Sequence, residues 1–151
     1  MSTKSTLALI ALCLPLLAGC SPVVALEPAD GANDPGCAEV IVRLPDEISG
    51  LQSRGVNAQS TAAWGEPVAV ILRCGLDAVT VSTLPCVTAS NIDWLVDDSK
   101  APNYRFITFA RSPATEVIID STQVAGVSVL EALDGSVGVI KPSANCTEVT
   151  N

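Results

Sequence analysis

The chain has 151 residues, 16 acidic and 8 basic side chains and no histidine, giving a formal charge of −8. That length accommodates one domain with a substantial core, and 48% hydrophobic residues exclude a disordered chain. The acidity excludes the basic face that a nucleic-acid binder needs, and the missing histidine removes the commonest general base and metal ligand.

Lys4 followed by an apolar run from Leu7 to Leu17 has the layout of a secretory leader. The run is shorter than the ~20 apolar residues a transmembrane helix needs. It closes on Leu17-Ala18-Gly19-Cys20, which resembles the lipobox of bacterial lipoproteins. The resemblance implies a leader over residues 1–19, cleavage before Cys20 and a lipid on the Cys20 sulfur; a plain secretory leader is the alternative. Loss of Lys4 would leave the mature chain one unit more acidic. The expected partner is therefore the membrane through the lipid rather than through a basic patch, and the expected location is extracytoplasmic.

Residues 20–35 are rich in proline, glycine and turn formers and read as a flexible tether, with an ordered strand over residues 23–26 as the alternative. The globular domain is expected over 36–151. Asp34-Pro35 is a helix start, because Asp caps and proline suits the first helical position; the helix should run to Leu44 before Pro45. Ile48 and Leu51 around Ser49-Gly50 predict a turn, and residues 53–63 a loop. Val68–Cys74 reads as a central strand covered on both faces. Val79–Val81 is a minor strand candidate. Cys86–Thr88 and Ile92–Val96 form the next strand, with Trp94 facing the core, followed by Tyr104–Phe109 and Thr115–Asp120. Short turns between them predict an antiparallel meander. Val124, Val127, Leu130 and Leu133 recur at helical spacing, with a start after Ser121 or Thr122 and Gly135 as a closing residue; residues 136–140 fit either strand or helix. The expected fold is α+β: an antiparallel sheet of about four strands with two helices packed on one face, stapled by disulfides.

Cys13 leaves with the leader and Cys20 is claimed by lipid. Cys37, Cys74, Cys86 and Cys146 remain, an even number in an exported chain, so two disulfides are expected. Three pairings are possible; Cys74–Cys86 would close a short loop and Cys37–Cys146 would tie the ends of the domain, and these are the favoured pairs. A zinc site is disfavoured by the absence of histidine and of any CxxC pair.

The segments Trp64-Gly65-Glu66-Pro67 through Leu72-Arg73-Cys74-Gly75, Cys86 through Asp93-Trp94-Leu95-Val96, and Thr108 through Val117 together resemble the domain of unknown function 3515 family, over about residues 36–140. The resemblance implies an exported or lipid-anchored actinobacterial envelope protein and implies no activity.

Histidine-based triads are impossible, no Ser-x-x-Lys is present in the mature chain, and neither phosphate-loop pattern occurs. Asp93, Asp97, Asp98, Glu116 and Asp120 are available to a carboxylate hydrolase acting on wall glycan, which is the weaker reading. Arg73, inside an apolar strand, and Arg111, just beyond another, suggest an anion-binding site built on arginine's fork. The alternative is structural: each pairs with an acid such as Glu66 or Glu116, or caps a strand end. Trp64 is a candidate binding aromatic, with core packing as its alternative. The expected function is a non-catalytic envelope module that binds a partner protein or cell-wall component without a cofactor; a structural assembly role is the other reading.

Overall fold

The computed structural model describes residues 22–146. Eight strands form one antiparallel sheet: β1 (Glu47–Ile48), β2 (Leu51–Arg54), β3 (Thr61–Trp64), β4 (Val70–Leu76), β5 (Cys86–Ala89), β6 (Ile92–Asp97), β7 (Asn103–Thr108) and β8 (Ala114–Asp120). Their order is β1-β2-β3-β4-β8-β7-β6-β5. Two four-strand meanders thus lie side by side and join through their last strands, β4 and β8. Three short helices complete the described fold: α1 (Pro35–Ile41), α2 (Gly126–Ala132) and α3 (Asp134–Val137).

The expectation of about four strands and two helices is therefore corrected to an eight-stranded sheet with three short helices. Residues 47–64, read as turn and loop, supply three of the additional strands. Ile48 is buried, but Gln52 and Ser53 face solvent, and Thr61–Trp64 is made largely of small residues. Such strands lack the β-branched and aromatic signal that marks a sheet interior. Ser49 and Gly50 both have positive φ, the geometry of a two-residue type I′ hairpin, which pairs Ile48 with Leu51. The stretch from Cys86 to Val96 is a hairpin turning at Ser90-Asn91 rather than one strand. Val79 makes only an isolated bridge to Phe109.

Asp34 caps α1 as expected, its Oδ1 accepting the Gly36 N–H at 2.7 Å, but the helix ends at Ile41 rather than Leu44. The late helix starts at Gly126, not after Ser121. Asp120 captures the intervening residues in a side-chain turn, accepting the Thr122 N–H at 2.9 Å and the Gln123 amide at 2.7 Å. Gly135 falls inside α3 instead of closing a helix, and Val137 is its last residue.

The helices pack on one face of the sheet. Val40 of α1, Val129 and Leu130 of α2 and Val137 of α3 join Trp64, Val70, Leu72, Trp94, Val117 and Ile119 in the main core. Trp94 is fully buried there, as its alternation in the sequence indicates. The opposite face carries a smaller cluster of Leu95, Ile107 and Ala114 beneath Leu76, Val79, Leu84 and Phe109.

All four cysteines are paired, but as Cys37–Cys74 and Cys86–Cys146. The favoured Cys74–Cys86 bridge fails on topology. β4 and β5 are separated by β8, β7 and β6, so four strand spacings place them ~19 Å apart. A disulfide requires Cα atoms within ~7 Å. Cys37–Cys74 instead welds α1 to the central strand, and Cys86–Cys146 fastens the C-terminal segment to the edge strand.

Residues 22–34, read as tether, run along the body. Val24 forms a parallel bridge with Val56, the Leu26 N–H donates to Asn57 Oδ1 at 2.7 Å, and the Gly31 N–H donates to the Gly75 carbonyl at 2.9 Å. The last contact requires glycine: Gly75 has φ +112°, and a Cβ there would stand 2.5 Å from Ala32 N. Cys20 and the leader lie outside the described residues.

Candidate functional site

Strand alternation decides what the sheet's second face presents. In β4, Leu72 and Cys74 point into the core, so Arg73 points out. Register places Arg73 directly opposite Glu116 of β8, while Arg105 of β7 sits diagonally beyond, its own partner being Ile118. Three charged side chains from three neighbouring strands therefore converge.

Glu116 is the centre of the array and is 2% exposed. Arg73 Nε donates to its Oε1 at 2.6 Å and Arg73 Nη2 pairs with the same oxygen; Arg105 Nε donates to Oε2. Two guanidiniums thus share one buried carboxylate, and Asp97 of β6 stands directly opposite Arg105. Both arginine side chains keep about a third of their surface open to solvent. Arg73 Nη1 and both terminal nitrogens of Arg105 carry no hydrogen bond to any described residue. Arg73 also separates two depressions. One of about 370 Å³ lies against Ala29, Asp30, Gly75 and Asp77; the other, of about 170 Å³, lies against Leu26, Thr61, Ile71 and Ile118. The docked N-terminal segment walls both of them.

Arg111 is elsewhere and differently used. It lines a separate depression with Asn91 and Asp134 and shares none with Arg73. Its side chain is buried, donating from Nη1 to the Ile140 carbonyl and from Nη2 to the Asn91 carbonyl at 3.2 Å. Burial holds its pKa below the ordinary arginine value, opposed by the charges of Asp93 and Asp134. Beside it, the Ser143 N–H donates to the Ala110 carbonyl at 2.8 Å, so this arginine clasps the C-terminal segment to the sheet. Trp64 is 1% exposed and donates its Nε1–H to the Pro45 carbonyl at 3.0 Å; it is a core residue, not a surface aromatic.

Several carboxylates available for hydrolysis are engaged locally. Asp93 accepts from Thr88 Oγ1 and from the Cys146 N–H; Asp97 accepts the Ser99 N–H; Asp120 caps its own turn. Arg105 is the site residue that the sequence reading misses. Its signal is the alternation Tyr104-Arg105-Phe106, which places a charge on the face opposite two aromatics.

The class defined by these features is a disulfide-tied antiparallel sheet protein with an arginine–glutamate–arginine array on the face away from its helices. The chain belongs to the family described as "Protein of unknown function (DUF3515)", whose model matches residues 5–145. Comparison with curated proteins and with solved structures finds no match.

Proposed function

We propose that this chain is a non-catalytic binding module of the actinobacterial cell envelope. It is held by lipid on Cys20 at the outer face of the cytoplasmic membrane. It recognises an acidic group of an envelope protein or cell-wall component at Arg73 and Arg105. The observation that carries this reading is a pair of guanidiniums, each about a third exposed, that share one buried carboxylate and turn their remaining N–H groups toward a depression. Arginine's planar fork suits a carboxylate or phosphate, and the free nitrogens are the ones turned from Glu116. The leader, the Leu17-Ala18-Gly19-Cys20 motif and two disulfides all suit an oxidising compartment.

The test is crosslinking of the native protein in intact cells, comparing wild type with Arg105→Gln. That substitution removes one guanidinium of the array yet leaves Glu116 paired with Arg73, so the fold survives. A specific crosslinked partner should be lost in the variant. A partner retained by a folded Arg105→Gln chain would make the array structural and refute the proposal.

A further inference from the structure

The N-terminal segment bears on how the protein meets the membrane. Pro22 is already held on the folded body: its carbonyl accepts Arg54 Nη2 at 3.1 Å, and the Val24 N–H donates to the Gly55 carbonyl at 2.8 Å. Arg54 is itself fixed, donating from Nη1 to the Gly65 carbonyl at 2.8 Å and pairing with Glu66. Two peptide links separate Cys20 from Pro22, and two links span at most ~7 Å. Val23, between the anchored residues, is 61% exposed, with a methyl group beside Gly55.

We infer that the surface around Val23 and Gly55 is a membrane-docking surface, pressed against phospholipid headgroups by an anchor that has no slack. The inference rests on the lipid-anchor reading of Cys20. The length of chain between Cys20 and the fixed Pro22 carbonyl is too short for a spacer, and the exposed apolar side chain of Val23 follows it directly. The edge strand β5 lies six strand spacings from β2, ~29 Å away across the sheet. The arginine array's wall at Leu26 and Glu27 lies six to seven residues beyond Cys20, within ~25 Å of it along the chain. A partner at that site must therefore approach close to the bilayer.

The test uses the full-length acylated protein, purified from bacterial membranes and reconstituted in vesicles of phosphatidylcholine and phosphatidylglycerol carrying a headgroup nitroxide. Trp64 and Trp94 are buried and supply the background. Tryptophan is placed at one of two exposed valines, Val23→Trp beside the end of β2 or Val87→Trp in β5. Quenching should be about twofold or more stronger at position 23, since β2 and β5 are ~29 Å apart across the sheet. Ten Gly/Ser residues inserted between Ser21 and Pro22 should erase that difference. Equal quenching at both positions, or a difference that survives the insertion, with acyl-Cys20 confirmed by mass spectrometry, overturns the inference and leaves the lipid-anchor reading intact. An N-terminal peptide lacking acyl chains on Cys20 overturns both.

Discussion

Glu116→Gln is the perturbation that best tests the physics of the array. The substitution keeps the volume of a side chain that is 3% exposed and removes the charge that two guanidiniums share. Each charge-assisted hydrogen bond to a buried group is worth about 1.5–3 kcal/mol. Both arginines are about a third exposed and can recover part of that from water, so a net loss of about 2–3 kcal/mol follows for the pair. For a domain of this size that corresponds to a drop in Tm of roughly 10 °C. Arg105→Ala should cost only about 1 kcal/mol, because Glu116 keeps Arg73. The two substitutions remove opposite ends of one ion pair, so the double variant should fall short of their sum by about 1 kcal/mol. Urea unfolding of the disulfide-intact protein at pH 7 measures all three. A loss below about 0.5 kcal/mol for Glu116→Gln, or strict additivity in the double variant, would refute the reasoning.

Other consequences are equally specific. Gly75→Ala should cost about 3 kcal/mol or more, because positive φ and a 2.5 Å backbone clash combine there, whereas Gly50→Ala, with open space around it, should cost about 1 kcal/mol; chemical denaturation of both variants separates the effects. Under native conditions dithiothreitol should open Cys86–Cys146, whose Cys86 is exposed, before Cys37–Cys74, whose cysteines are fully buried; alkylation followed by peptide mass spectrometry reads the order. Hydrogen bonds from the Thr122 side chain, the Gln123 side chain and the Thr122 backbone hold the Asp120 carboxyl below its usual 3.8. Its contribution to stability is therefore present at neutral pH and fades as pH falls through 3.8 and then through the lower folded value. The stability gap between wild type and Asp120→Asn should close over that window, and an NMR titration midpoint for Asp120 at or above 3.8 would contradict the cause assigned.

The strands richest in apolar residues are legible in the sequence itself. β4, β7 and β8 lie within two residues of where their apolar runs place them, and Trp94 faces the core as its alternation requires. The first three strands are not legible, because Gln52, Ser53, Ala62 and Ala63 carry little strand preference and pair only through the sheet register. Disulfide pairing is hidden for a related reason: neighbours in sequence, Cys74 and Cys86, belong to strands that the topology drives apart. Half of the site is visible in Arg73, an arginine inside an apolar strand, with Glu116 among its candidate structural partners. Arg105 escapes a linear reading because its relation to Glu116 is diagonal across two strands. Arg111 stands out for its unusual setting, and that setting is a clasp of backbone carbonyls.

The most direct measurement of the binding claim is on the arginines themselves. The Nε–H resonances of Arg43, Arg54, Arg73, Arg105 and Arg111 should be followed by NMR while inorganic phosphate, and separately acetate, is titrated at constant ionic strength. The account predicts saturable shifts confined to Arg73 and Arg105, abolished at Arg73 in the Arg105→Gln variant, with Arg111 unmoved in its buried clasp. Uniform, unsaturable drift at the exposed arginines, or no movement at Arg73 and Arg105, would contradict it.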